Sequence, residues 1–263
     1  ARFDSGIIGT VGITIGKDRF PATHTTPESD VVHSILSVMH ERHLRAVAME
    51  VSSHAIVQHR IDGVRFASVG FTNLSQDHLD FHGNMENYYQ AKRSLFEPDI
   101  ADVAFINIDN EYGVRLAREI AIPTSTLSLI NKSATWRYEN FAWSAQGWNV
   151  SIRGEGGVLI EGTFKLPGEY NLENLLLAVA MASHSGVDPL VIGNSLSALR
   201  GAPGRLEKIE CGQDFSVLID YAHTPDAVEK VLSSLRNSTV KRIIGVLGCG
   251  GERDASKRPL MGS

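Results

Sequence analysis

"FTNLSQDHLDFHGNMENYYQAK", residues 71–92, begins as an apolar strand and ends as an amphipathic helix. Between the two sit Asp77, His78, Asp80 and His82, and the stretch closes on Lys92. A strand that runs through a polar turn into a helix is the building unit of an α/β sheet, where ligands gather outside the carboxyl ends of the strands. Three readings suit such a turn: a zinc site, a magnesium–phosphate site or a polar surface loop. Zinc fits poorly. "HLDFH" (78–82) has Leu79 where the helical motif H-E-x-x-H has its glutamate, and no cysteine or third histidine stands at zinc spacing. A polar loop alone is the plain alternative, because Asp, His and Asn are common after strands.

Working outward, the same alternation continues. "RAVAMEVSS" (45–53), "FASVGFTNL" (66–74) and "VAFINID" (103–109) read as buried strands, with "ESDVVHSILSVMHERH" (28–43) and "NMENYYQAKRSLF" (84–96) as helices between them. This predicts an α/β fold with a mostly parallel sheet flanked by helices. From 136 to 166 the residues alternate instead, with three Trp and Gly-rich turns, which predicts an appended antiparallel region. The helical run "NLENLLLAVAMASHSG" follows, closed by Gly186, and "RGAPGR" (200–205) marks a domain boundary. Beyond it "FSVLIDYA", "TPDAVEKVLSSLR" and "VKRIIGVLG" read as strand, helix and strand, with Thr224 capping the helix and Pro225 in its first turn. Glu50 and Ser52 end one strand, and "DYAHTPD" ends another. Polar residues collect at several strand tips, which a lone surface loop does not predict. Magnesium suits this set, since it takes one or two carboxylates and leaves its other positions to phosphate and water; Glu50 and His78 are its candidate ligands.

The chain has 263 residues, 43% of them hydrophobic, with a net charge of −5. That size buries a large core and suits two domains. A mildly acidic balance disfavours a non-specific nucleic-acid binder, and no apolar run is long enough to span a membrane. Cys211 and Cys249 make no disulfide framework, which points to a reducing cytoplasm, and both read as small buried apolar residues. The chain starts without Met and stops at "KRPLMGS", where a helix begins, so it reads as a fragment.

Two motifs mislead. "GITIGKD" (12–18) lacks the first glycine and the Ser/Thr of a phosphate-binding loop, with Val11 and Asp18 in their places. It reads as a Gly-rich hairpin or strand end. "GCGGER" (248–253) has Arg253 where a dinucleotide fingerprint has its last glycine, so the arginine is left to face something anionic.

"TTPE" (25–28), "MEVSSHAIVQHRIDG" (49–63), "FTNLSQDHLDFHGNMENYYQAK", "GEYNLENLLLA" (168–178), "GRLE" (204–207), "DYAHTPDAVEKVL" (220–232) and "GCGGERDASKRPLMG" (248–262) together resemble the Mur ligases, most closely their MurE type. The blocks fall in order along almost the whole chain. The resemblance implies a central ATPase domain over 1–203, lacking its N-terminal P-loop unit, and the start of a Rossmann-like C-terminal domain over 204–263. It implies a bacterial, cytoplasmic, monomeric enzyme of peptidoglycan precursor synthesis that uses ATP and Mg2+. The substrates would be UDP-N-acetylmuramoyl-L-alanyl-D-glutamate and either meso-diaminopimelate or L-lysine. A carboxylate resists amine attack, so ATP would first convert it to an acyl phosphate.

By the same resemblance Glu50, His78 and a CO2-carboxylated Lys92 would hold magnesium. Thr25, Thr26, Ser52, Gln58 and Arg60 would hold the UDP-linked substrate, and Arg253 the incoming carboxylate. Asn174, Arg205 and Asp220 would contact the nucleotide. The ATP cradle would lie upstream of residue 1, so this chain alone is expected to be inactive. Two other readings stay open: an amide ligase of the same superfamily acting on folate or another acid, and a binding module that has lost turnover.

Overall fold

A computed structural model describes residues 4–238, 242–249 and 257–262. The chain opens with β1 (Ser5–Gly9), β2 (Gly12–Ile15) and β3 (Asp18–Phe20), then α1 (Ser29–Glu41), β4 (Ala46–Met49) and α2 (Ser53–Val57). It continues with β5 (Val69–Phe71), α3 (Leu79–His82), α4 (Met85–Arg93), β6 (Ala104–Asn107), α5 (Glu111–Glu119) and β7 (Thr124–Ser128). Then come β8 (Trp136–Ser144), β9 (Gly147–Arg153), β10 (Leu159–Phe164), α6 (Glu169–His184) and α7 (Pro189–Ser195). The C-terminal part holds β11 (Glu207–Ile209), β12 (Val217–Ile219), α8 (Pro225–Ser238) and α9 (Lys257–Gly262).

The parallel pairings are β1 with β4 and the series β5, β6, β7, β8. Antiparallel β9 and β10 extend that series, as the alternation over 136–166 predicts. The strands form a sheet β3-β2-β1-β4, a sheet β10-β9-β8-β7-β6-β5 and the pair β11-β12. "GITIGKD" is indeed a hairpin: Ile15 pairs with Asp18 across a turn in which Gly16 has φ 64°. The two large sheets share a core residue, for Met49 packs against the clusters of both.

Short polar side chains start the helices where the sequence places them. Asn84 accepts the N–H of Asn87 at α4, and Asn110 that of Gly113 at α5. Asp188 precedes Pro189 at the start of α7, and Thr224 accepts the Ala227 N–H at α8. Each such cap is worth about 1 kcal/mol. Gly113 is required by packing: a Cβ there would stand 1.8 Å from the Asn107 carbonyl oxygen, so only glycine lets α5 lie this close to β6. The largest core cluster packs Leu172, Leu175, Leu176 and Val179 of α6 against Tyr138 and Ile152.

Three expectations fail. β4 is not the buried strand that "RAVAMEVSS" suggests: it lies at the edge of its sheet, and Ala46, Val47 and Ala48 are exposed. "VKRIIGVLG" (240–248) reads as a strand, yet residues 242–249 carry no regular element and Val246 is 94% exposed. Branched apolar residues favour a strand only where a neighbouring edge accepts their hydrogen bonds, and 242–249 pair with none of the described strands. The cysteines are exposed rather than buried: Cys211 lies in the loop between β11 and β12, and Cys249 lies outside any regular element. Among the described residues no helix is long and apolar enough to cross a membrane.

Candidate functional site

The first part of the site is built at the end of β4. Glu50 follows the strand with its N–H bonded to the Ile8 carbonyl at 2.8 Å. Its carboxylate Oε2 accepts the Thr10 N–H at 2.8 Å and the Thr10 hydroxyl at 2.7 Å. Gly9 makes room for this, because a Cβ there would stand 2.9 Å from the Glu50 carboxyl carbon. The Thr10 hydroxyl also lies 2.9 Å from that of Thr25. Thr26, 1% exposed, donates to the Glu50 carbonyl at 2.8 Å and accepts the Ser52 N–H at 3.0 Å. Its hydroxyl is thereby used on both sides, so Thr26 braces the site from behind. Arg60 donates to the Thr26 carbonyl at 2.9 Å and to Gln58 Oε1 at 2.6 Å, and pairs with Glu28. Its buried Nε has no hydrogen-bond partner among the described residues. One network therefore gathers Glu50, Thr25, Thr26, Ser52, Gln58 and Arg60.

The second part lies after β5. His78 has left-handed backbone, φ 54°, which costs a non-glycine residue about 1–2 kcal/mol. Asp77 steadies it: Oδ1 accepts the His78 N–H at 2.9 Å, and Oδ2 lies 3.5 Å from His78 Nε2. The His78 ring meets His54 of α2 edge-on, with centroids 4.8 Å apart. His82 is buried, stacks on Tyr88 and places Nε2 2.9 Å from the Ser53 hydroxyl. Burial, then His54, His78 and Lys92, push the His82 pKa down.

Lys92, on the last turn of α4, sets its nitrogen 5.2 Å from the Tyr88 ring centre. That nitrogen lies deep among protein atoms, and burial lowers its pKa although Asp77 pulls the other way. A larger share of neutral amine results. Burial and the Asp77 charge raise the neighbouring Tyr88 to about 12. His78 and Lys92 thus share Asp77 and Tyr88, whereas the Glu50 carboxylate takes its hydrogen bonds from Thr10.

The C-terminal part supplies a facing wall. Asp220 accepts the Ala222 N–H through Oδ1 and the Leu206 N–H through Oδ2, both at 2.8 Å. Both carboxylate oxygens therefore shape the loop. The Arg205 guanidinium stands 5.2 Å over the Tyr221 ring. His223 places Nδ1 2.9 Å from the Tyr221 carbonyl and Nε2 3.5 Å from Asp77 Oδ2. A cleft of about 260 Å³ lies between Thr72, Asp77 and Lys92 on one side and Arg205, Tyr221 and His223 on the other. Asn174 is exposed on α6, beside Glu173, whose carboxyl bonds Asn107 Nδ2 at 3.1 Å and is raised in pKa by burial. Arg253 lies outside the described residues.

Among the described residues no set of three or more His, Cys, Asp or Glu is placed to hold a metal ion. Glu50 offers an oxygen donor and His78 a nitrogen donor, and magnesium takes few protein ligands, leaving its other positions to water or phosphate. Sequence reasoning missed His54 and His223, and it gave Asp77 no role. Their significance lies in contacts between separate segments, which spacing along one segment does not reveal.

The chain matches the Mur ligase middle domain over residues 1–182 and the Mur ligase glutamate ligase domain over residues 204–263. It is 42% identical over 260 residues to the UDP-N-acetylmuramoyl-L-alanyl-D-glutamate–2,6-diaminopimelate ligase of Streptomyces coelicolor, covering 98% of this chain and 51% of the relative. It is 40% identical over 264 residues to the UDP-N-acetylmuramyl-tripeptide synthetase of Leifsonia xyli, covering 98% and 51%. A solved UDP-N-acetylmuramoyl-L-alanyl-D-glutamate–2,6-diaminopimelate ligase superposes with a TM-score of 0.77 at 32% identity, over 98% of this chain and 53% of the other. The chain spans about half the length of the curated relatives it matches. With domains matched along most of its length, the chain belongs to the Mur ligase family.

Proposed function

We propose that the protein is an ATP-dependent ligase of bacterial peptidoglycan precursor synthesis. It joins meso-diaminopimelate or L-lysine to UDP-N-acetylmuramoyl-L-alanyl-D-glutamate. The observation that carries this reading is Lys92: its nitrogen, lowered in pKa, lines a cleft with Asp77 and faces Arg205 across it. A neutral amine captures CO2 and loses a proton, so a cationic side chain becomes an anionic carbamate. With Glu50 and His78, that carbamate would hold the magnesium ion. The ion, when bound, neutralises charge on the transferring phosphoryl group.

The substrate carboxylate attacks the terminal phosphorus of ATP, releasing ADP and leaving an acyl phosphate. The amine nitrogen of the incoming amino acid attacks the acyl carbon, and the tetrahedral intermediate expels phosphate as the nitrogen loses a proton. Thr25, Ser52, Gln58 and Arg60 hold the UDP-linked substrate, with Thr26 bracing them. Arg205 and Asn174 serve the nucleotide, Asp220 shapes its loop, and Arg253 takes the incoming carboxylate. Residues 1–203 form the central domain and residues 204–263 belong to the C-terminal one. The enzyme works as a monomer in the cytoplasm, without nucleic acid or membrane.

The test is product analysis with the full-length protein, ATP, Mg2+ and the UDP-linked dipeptide, offering each diamino acid in turn. Formation of the UDP-linked tripeptide with matching release of ADP and phosphate is expected. If folate or another acid is extended instead, the assignment is overturned.

A further inference from the structure

Asp77 connects two parts of the molecule. One oxygen, Oδ1, holds the His78 backbone in its left-handed conformation. The other, Oδ2, lies 3.5 Å from His78 Nε2 and 3.5 Å from His223 Nε2. His223 belongs to the loop after β12, whereas Asp77 and His78 belong to the loop after β5. At 3.5 Å each contact is longer than an ordinary hydrogen bond.

The His223 ring is aimed rather than free. A carbonyl and a carboxylate both only accept, so with Nδ1 facing the Tyr221 carbonyl and Nε2 turned to Asp77, His223 donates to both in the form that carries a proton on each nitrogen. The loop is fixed on both sides. Asp220 ties it to Leu206 and Ala222, and Thr224 starts α8. The position of the C-terminal part is therefore transmitted through one imidazole to the carboxylate that sets His78 and faces Lys92.

We propose that His223 is a positioning residue for the ligation reaction, acting through Asp77 to hold His78 and the Lys92 nitrogen in working geometry when the C-terminal part is seated. This deepens the functional reading above and rests on it.

The experiment compares His223→Ala, His223→Gln, Asp77→Asn and the double variant in the full-length protein. A misplaced reacting group costs on the order of 10²-fold. His223→Ala should therefore lower kcat by that order while leaving KM for the UDP-linked substrate within about twofold, because that substrate is held by a separate network. His223→Gln, whose amide can still donate to Asp77, should restore most of the loss. The double variant should be no worse than Asp77→Asn alone. Multiplying losses, or a loss confined to KM, would overturn the proposal. A second arm needs no turnover: histidine-selective 15N NMR of this chain should show the His78 ring signals moving in His223→Ala and returning toward their wild-type positions in His223→Gln. Unmoved His78 signals overturn the proposal. A wild type without ligase activity counts instead against the function proposed above, and the NMR arm then decides this one.

Discussion

The Lys92 nitrogen stands 5.2 Å from the centre of the Tyr88 ring, in a cleft that Asp77 also lines. Burial lowers the pKa of that amine below the ordinary lysine value. The unfolded chain therefore binds a proton at Lys92 more readily than the folded one. Where the folded amine is neutral and the unfolded one charged, stability rises with pH up to the ordinary lysine value. Lys92→Met removes this term. Thermal unfolding followed as pH rises toward the ordinary lysine value should show a smaller rise of Tm in the variant than in the wild type. Equal slopes would mean that the amine is not desolvated.

Thr26 joins the strand end to the start of α2 through a buried hydroxyl. Thr26→Val keeps the shape but strands the Ser52 N–H and the Glu50 carbonyl. An unmatched buried polar group costs about 1–3 kcal/mol. Urea denaturation should register a loss of that size, with KM for the UDP-linked substrate raised as Ser52 shifts. A variant as stable as the wild type would remove Thr26 from its bracing role.

Gly9 tests the approach of Glu50. An added Cβ would stand 2.9 Å from the Glu50 carboxyl carbon, the far end of a flexible side chain. Gly9→Ala should therefore cost little stability, about 1 kcal/mol or less, because the clash is relieved by swinging the carboxylate away. Ligation should fall and the Mg2+ concentration for half-maximal rate should rise. An unchanged Mg2+ requirement would separate Glu50 from the metal.

The strand–turn–helix unit over 71–92 was legible because local signals agree: a short apolar run, a polar turn and an amphipathic helical run. The antiparallel region over 136–166 was legible for a similar reason, since strict alternation reports one covered face. What alternation cannot report is which segment supplies the neighbour. Residues 242–249 have strand-forming side chains but no partner edge among the described strands, so they carry no strand. The same limit hid the site's cross-links. His54 lies in "SSHAI" and His223 in "DYAHTP", and nothing within either segment shows that one packs on His78 and the other faces Asp77. Lys92 read alone is a solvated helix lysine; only folding places its nitrogen deep in the cleft.

The central claim is that Lys92, as a carbamate, is needed for ligation. The most direct measurement is amino-acid-dependent phosphate release by the full-length protein carrying Lys92→Ala, with and without high acetate to stand in for the missing carbamate. The account predicts that turnover is abolished and partly restored by acetate. Undiminished turnover in Lys92→Ala without acetate would contradict it.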